Sequence, residues 1–277
     1  SNLNLLNYAA TERYISIYRP KIVVHLAAKV GGLYYNLNNN IEMYQENMIM
    51  NDNLLKACDK YDVQKCICCL STCVFPDKIE LPMKEDDLHK GEPHSSNFGY
   101  SHAKRQLDVL CELYRRKGRE YVTIIPTNIY GKHDNFSLTQ GHVIPMLIHK
   151  FCNAKRRNNP IIIWGDGSAL RQFIYVEDMS RIITRLILEK RELPTRLIIS
   201  PPENHEISIQ EVVKELADIF DYHDIIYDTT KPNGQEKKTV SNSRLMQMYP
   251  SLTFSNIKTG LNETIVWFLD NYDKARK

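Results

Sequence analysis

The sequence predicts an α/β protein, with a parallel sheet covered by helices and a second, smaller α/β region after it. Three observations carry this. Short β-branched runs alternate with longer stretches of helical periodicity up to Gly131. Residues able to do chemistry gather just past the ends of the predicted strands, where open parallel sheets take their ligands. After Gly131 the texture changes to a polar loop, and a new set of helices and strands follows.

Each element has its own warrant. "KIVVHLAA", Lys21 to Ala28, is apolar and β-branched and reads as a buried strand. In "IEMYQENMIMNDNLLKACDKY", Met43, Glu46/Asn47, Met50, Leu54 and Ala57 recur at three- and four-residue steps, which predicts a helix. "QKCICCLS" is the next strand. "YSHAKRQLDVLCELYRRKG" carries an apolar stripe of Ala103, Leu107, Leu110/Cys111 and Tyr114, with Gly118 as its C-cap. "VTIIPTNIYG" reads as one strand stopped by Pro126 and Gly131. "KHDNFSLTQGH" is a polar loop, and "VIPMLIHKFCNAKRR" a helix with Pro145 near its first turn. "IIIWGDGS" is a strand and turn, "VEDMSRIITRLILEK" a helix and "RLIIS" a strand. In "SIQEVVKELADIF", Ser208 and Glu211 form a capping box. "IIYDTT" is short and extended, and "NETIVWFLDNYDKARK" closes the chain.

Bulk properties narrow the function. At 277 residues the chain can build a sizeable core in one large or two medium domains. Its net charge of +3 is spread along the sequence, so no nucleic-acid footprint is expected. No apolar run approaches the ~18 residues of a membrane span, and no membrane partner is expected. Seven cysteines, an odd number, argue against a disulfide framework and for a reducing, cytoplasmic setting. No signal peptide is visible. "SN" at the start reads as a tag scar or the start of a fragment.

The chemistry lies in "STC", "GYSHAK" and "PTNIYG". Tyr100 and Lys104 are four residues apart and share a helix face. An ammonium beside a phenol is expected to pull its pKa down from ~10. Ser71 can help to hold a carbonyl oxygen that Tyr100 protonates as hydride arrives. Cys66, Cys68 and Cys69 precede the site; together with Cys73 they do not have zinc spacing, and the three read as buried small hydrophobes. His142, between Gly141 and a helix start, is a proton carrier or a helix cap. His25 ends a strand and reads as structural. Trp164 could stack on a base and Arg171 could fork onto a diphosphate, with Lys150 and Lys238 adding charge. Each of these is otherwise a solvated charge or a core aromatic.

The stretches "HLAAKVGG", "MNDNLL", "LSTCVFP", "SNFGYSHAKR", "PTNIYGKHDNF", "GHVIPMLIHK", "IIIWGDGSALRQFIYVED" and "DTTKPNGQEKKTVSNS" cover nearly the whole chain in order. On them the chain resembles the extended short-chain dehydrogenase/reductase family, and within it the members that epimerise and reduce a GDP-linked 4-keto-6-deoxy sugar. The resemblance implies a Rossmann-like NADP-binding domain over 1–131 and 172–200 and a GDP-sugar domain over 132–171 and 201–277. It implies that Ser71 bonds the keto oxygen, Tyr100 protonates it and Lys104 holds the nicotinamide ribose. Cys73 and His142 become the proton carriers for epimerisation at carbons 3 and 5. Leu26, Ala27, Ala28, Pro126 and Asn128 join Tyr100, Lys104 and His142 around NADPH. Asn128, Lys150, Trp164, Arg171 and Lys238 face the GDP-sugar. The family's habit, with the apolar stripes near Met43 to Tyr61 and Tyr100 to Lys117, implies a homodimer.

One family feature is missing from the residues given. Gly31 and Gly32 are the only early glycines, so no G-x-x-G-x-x-G turn is present to receive the cofactor pyrophosphate. "NLLN", Asn4 to Asn7, stands where the family has an acidic signature near the adenine. The expectation is a fragment or trimmed form, because a sheet without its first strand exposes apolar edges. Such a form should bind GDP but hold NADPH poorly. Two rival readings stay open: a non-catalytic GDP-sugar-binding relative, and an epimerase/reductase of another 4-keto nucleotide sugar.

Overall fold

The computed structural model describes residues 3–231 and 235–277. Ser1, Asn2 and the "PNG" of the "DTTKPNGQEKK" stretch lie outside the described residues. In chain order the elements are α1 (Tyr8–Tyr18), β1 (Ile22–His25), α2 (Leu33–Asn38), α3 (Asn40–Lys60), β2 (Lys65–Cys69), α4 (Phe98–Arg116), β3 (Glu120–Pro126), β4 (Asn128–Tyr130), α5 (Val143–Arg157) and β5 (Ile161–Trp164). There follow β6 (Leu170–Arg171), β7 (Phe173–Tyr175), α6 (Val176–Leu188), β8 (Arg196–Ile199), β9 (Ile207–Ser208), α7 (Ile209–Phe220), β10 (Ile225–Asp228), α8 (Ser243–Met248) and α9 (Ile257–Asp270).

Two compact units result. The first holds residues 1–80, 84–126 and 182–199. Among the described residues its sheet is parallel, in the order β1-β2-β3-β8. Cys66, Ile67 and Cys68 of β2 are fully buried, as expected for a parallel strand covered on both faces. α3 packs along α4, and α1 packs on α3. The predicted stripe of α3 is buried at Met43, Asn47, Leu54 and Ala57. α1 stands where the sequence marks no element. Its amphipathic signal is weak because only Thr11 and Ile15 are buried while Tyr14, Ile17 and Tyr18 stay exposed. Asn7, the end of "NLLN", caps it by accepting from the Ala10 amide at 3.0 Å.

The second unit holds residues 81–83, 127–181 and 200–277. Its core joins α5, α7 and α9 through Phe151, Phe220, Leu216, Ile265 and Phe268, with Phe136 stacked on Phe268 at 4.3 Å. The Ser208/Glu211 capping box opens α7 as read from the sequence. α9 approaches Tyr130 so closely that a Cβ at Gly260 would lie 2.1 Å from the phenol oxygen.

Two boundaries differ from those the sequence suggests. "VTIIPTNIYG" is two strands broken at Thr127. β3 pairs with β2 and β8, whereas β4 pairs with β7 in a separate sheet. Residues 127–131 and 172–181 therefore pack with the second unit, tied by the Asn128 amide donating to the Gln172 carbonyl at 3.2 Å. A single extended-looking run does not reveal that its two halves pair with different strands.

Candidate active site

In the first unit, β1, β2 and β3 run in register, so Leu26 to Ala28, Leu70 to Cys73 and Pro126 all lie at the carboxyl edge of the sheet. The strand β2 gives way to a 3-10 turn, Thr72–Val74, capped by Ser71, whose Oγ accepts from the Cys73 amide at 3.4 Å. The Leu70 amide donates to the Ile124 carbonyl at 2.8 Å and fixes the start of this turn to β3. Ser71 and Cys73 are half-buried and remain reachable.

α4 brings the acid to this edge. Gly99, just before Tyr100, lets α4 meet α3. A Cβ there would sit 2.1 Å from the Asn40 carbonyl oxygen, and the Gly99 amide donates to Asn40 Oδ1 at 2.8 Å. Lys104 is 2% exposed, and its Nζ donates to the Cys69 carbonyl at 2.7 Å. The same ammonium lies 5.7 Å from the Tyr100 ring centroid. Burial pulls the Lys104 amine down from its usual value, opposed by Cys69 and Cys73. Tyr100 moves opposite to the sequence expectation. Burial pushes its phenol well up, and Cys73 and Cys69 push the same way. With its ammonium tied to a backbone carbonyl, Lys104 does not make Tyr100 acidic here. The phenol stays protonated, which is the form a proton donor needs.

His25 is structural, as its position at the end of β1 suggests. It is 2% exposed, its Nε2 donates to Asn51 Oδ1 at 2.9 Å, and burial pulls its pKa down to about 4. Asn51 donates in turn to the Ala103 carbonyl at 3.3 Å, so β1, α3 and α4 are linked just beside Lys104. Cys66 and Cys68 are buried, and burial pushes the Cys66 thiol up. Among the described residues, no group of three or more His, Cys, Asp or Glu side chains is arranged to hold a metal.

The remaining candidates lie in the second unit, apart from Pro126 of β3. His142 stands at the N-cap position of α5, but its ring makes no capping hydrogen bond and is exposed. Asn128 is exposed, with Nδ2 donating to the Gln172 carbonyl at 3.3 Å. Lys150 donates to the Ile162 carbonyl at 2.8 Å and stands 5.0 Å from the Trp164 ring centroid, so base-stacking face and cation are paired. Trp164 is 43% exposed. Arg171 donates to the carbonyls of Leu170 and Gln235, at 2.6 and 2.7 Å. It thereby ties down the segment that carries Lys238.

Sequence reasoning missed Arg105 and Asp108, both buried on α4. Arg105 Nε donates to the Val74 carbonyl at 2.7 Å. Asp108 receives Arg196 Nε at 2.8 and 2.9 Å, His89 Nε2 at 2.8 Å and Thr123 Oγ1 at 2.9 Å. The available signal was slight: Asp108 lies between the apolar Leu107 and Val109, while Arg105 lies between Lys104 and Gln106.

Leu26 is 56% exposed just past β1, and Ala27 beside it is also exposed. This open surface lies at the same sheet edge as Ser71, and α4 supplies Tyr100 and Lys104. The set fits the nicotinamide-ribose half of a dinucleotide.

Residues 1–199 match the model of the NAD dependent epimerase/dehydratase family. A GDP-L-fucose synthase of Dictyostelium discoideum is 44% identical over 279 residues, covering 100% of this chain and 87% of that protein. A GDP-L-colitose synthase of Yersinia pseudotuberculosis is 33% identical, covering 97% and 87%. The crystal structure of a GDP-L-fucose synthetase from Naegleria fowleri bound to NADP superposes with a TM-score of 0.92 at 39% identity, covering 99% of this chain and 84% of that one. The chain belongs to the NAD dependent epimerase/dehydratase family.

Proposed function

We propose that this chain converts GDP-4-keto-6-deoxy-D-mannose to GDP-L-fucose, by epimerisation at carbons 3 and 5 and then reduction at carbon 4. The observation that carries the reading is the pairing of Ser71 and Cys73 on one turn with a buried Lys104 tied to the strand before it. Inverting a carbon beside a ketone requires one group to take a proton and another to return one on the opposite face. Cys73 as thiolate takes the proton: S–H forms as C–H breaks, and the electron pair moves onto the keto oxygen as an enolate. His142 returns a proton to carbon, and Ser71 and Tyr100 donate to the enolate oxygen. NADPH, when bound, supplies the hydride for the second stage. Lys104, with Leu26, Ala27, Ala28, Pro126, Asn128 and His142, lines its nicotinamide half. Tyr100 gives its proton to the oxygen at carbon 4. Lys150 and Trp164 take the guanine, while Arg171, Lys238 and Asn128 take the diphosphate and sugar.

The direct test is Cys73→Ser with exchange of the sugar's carbon-bound protons followed in deuterated water. A serine hydroxyl is a far weaker base than a thiolate, so exchange should drop at least a hundredfold, on the order expected for a lost general base. GDP-sugar affinity should stay within about twofold. Exchange at the wild-type rate would make Cys73 structural and remove the epimerase reading. A second reading, another GDP-linked 4-keto sugar, is favoured by the likeness to the GDP-L-colitose synthase. Product analysis with several keto sugars separates the two.

We also propose a homodimer built on α3 and α4. Ile41, Tyr44 and Ile49 of α3 and Val109 and Leu113 of α4 are exposed large apolar residues on two helices that pack on each other. Sedimentation at micromolar concentration should show twice the mass of the 32.3 kDa chain. A monomer alone would exclude the interface. Seven free cysteines suit a reducing cytoplasm. Among the described residues, no helix is long and apolar enough to cross a membrane.

A further inference from the structure

Arg105 follows Lys104 directly on α4, yet the proposed reaction gives it no task. It is 9% exposed, and its Nε donates to the Val74 carbonyl at 2.7 Å, inside the hydrogen-bonded turn that carries Cys73. One of its terminal nitrogens, Nη2, is buried with no hydrogen-bond partner. A buried charged donor left unpaired destabilises the fold, so its retention needs a reason. Lys104, the other cation on this turn of α4, already donates to the Cys69 carbonyl.

We propose that Arg105 is the positioning residue for Cys73: it fixes the Thr72–Val74 turn through the Val74 carbonyl and supplies the positive charge that favours the thiolate. Several groups surround Cys73. Tyr100, Lys104 and Arg105 of α4 each interact with it electrostatically, and Cys69 of β2 acts on Tyr100 and Lys104 as well. Glu92 also interacts electrostatically with Arg105 and lies 3.4 Å from His102 Nε2. Glu92 is held near the turn by its backbone, whose carbonyl accepts from the Asp77 amide at 2.9 Å. Its side chain is 81% exposed. Solvent therefore screens Glu92 more than it screens Arg105.

This inference rests on Cys73 acting as a base, and its test reads the thiol without any sugar. The rate of Cys73 alkylation by iodoacetamide is measured against pH, with the Cys73 peptide followed by mass to separate it from Cys69 and the buried cysteines. Arg105→Gln keeps the bulk and an amide donor for the Val74 carbonyl but loses the charge. It should slow alkylation at neutral pH by about tenfold. Arg105→Lys restores the charge and should recover most of the rate. Glu92→Gln, at an exposed site that does not threaten folding, should speed the reaction by removing the charge that opposes Arg105. A glutamine variant at position 105 that reacts like wild type, a lysine variant as slow as that glutamine variant, or an unchanged rate in Glu92→Gln overturns the proposal. Normal alkylation behaviour with no proton exchange into the sugar would instead count against the proposed reaction and leave the role of Arg105 standing.

Discussion

Replacing Tyr100 with phenylalanine is expected to separate the two halves of the reaction. Reduction at carbon 4 should fall a hundredfold or more, on the order of what a positioned general acid contributes. Epimerisation should fall much less, because Ser71 still donates to the enolate oxygen. The direction of the Tyr100 shift sharpens this. Burial, then Cys73 and Cys69, hold the phenol above its usual value, so it carries its proton across the working pH range. Wild-type reduction should therefore show no loss from phenol ionisation until the pH passes ~10, the ordinary tyrosine value. Single-turnover oxidation of NADPH with the keto sugar measures the first effect, and deuterium incorporation at carbons 3 and 5 measures the second. Reduction within about threefold of wild type would place the acid elsewhere.

The largest expected effect on stability is at Asp108. Its side chain is fully buried and holds together α4, β3, β8 and the loop bearing His89. Burial alone would push this carboxyl up. The hydrogen bonds from His89 and Arg196, the Arg196 charge and the Thr123 hydroxyl outweigh it and hold the carboxyl below its usual value. A carboxyl whose pKa is lower in the folded chain stabilises that chain above ~4, its unfolded value, and the contribution disappears as pH falls through the folded value. Asp108→Ala leaves Arg196 facing an empty buried site, and breaking such a pair costs about 3–5 kcal/mol. That is a large part of the ~5–15 kcal/mol that holds a domain folded. Because the chain forms two units, one unfolding midpoint is a poor measure. Amide exchange in α4, β3 and β8 is a better one, and it should accelerate there while α5 and α7 keep their protection. Uniform exchange across both units, or a change below about 1 kcal/mol, would show that the cluster is not a stabilising centre. Asp108→Asn should also flatten the acid dependence of these same amides.

What the sequence reveals here depends on how local the cause is. The stripe of α4, the capping box of α7 and the placing of Tyr100 and Lys104 on one helix face are legible because spacings within one or two helical turns define them. Asp108 is not legible, because Arg196 is 88 residues away in sequence and nothing local marks it as a partner. The break at Thr127 is hidden for the same reason, since only β7 and β8 reveal that the two halves pair apart. Arg171 shows a different limit. Its residue type suggests a diphosphate ligand, yet its guanidinium also braces the carbonyls of Leu170 and Gln235. The direction of the Tyr100 shift was misjudged because neighbour type is visible in a sequence and burial is not.

The bond from Lys104 to the Cys69 carbonyl has a consequence for how the site works. Together with Arg105 on the Val74 carbonyl and Leu70 on β3, it welds strand end, turn and helix into one rigid piece before any ligand arrives. In the proposed reaction the dipoles that meet the developing oxyanion would then be preorganised, and no loop ordering would have to accompany substrate binding on this side. Affinity for the GDP portion is left free to act at the transition state instead of being consumed in assembling the acid and the base. A change that loosens this piece without touching the chemistry should therefore lower kcat far more than it raises KM.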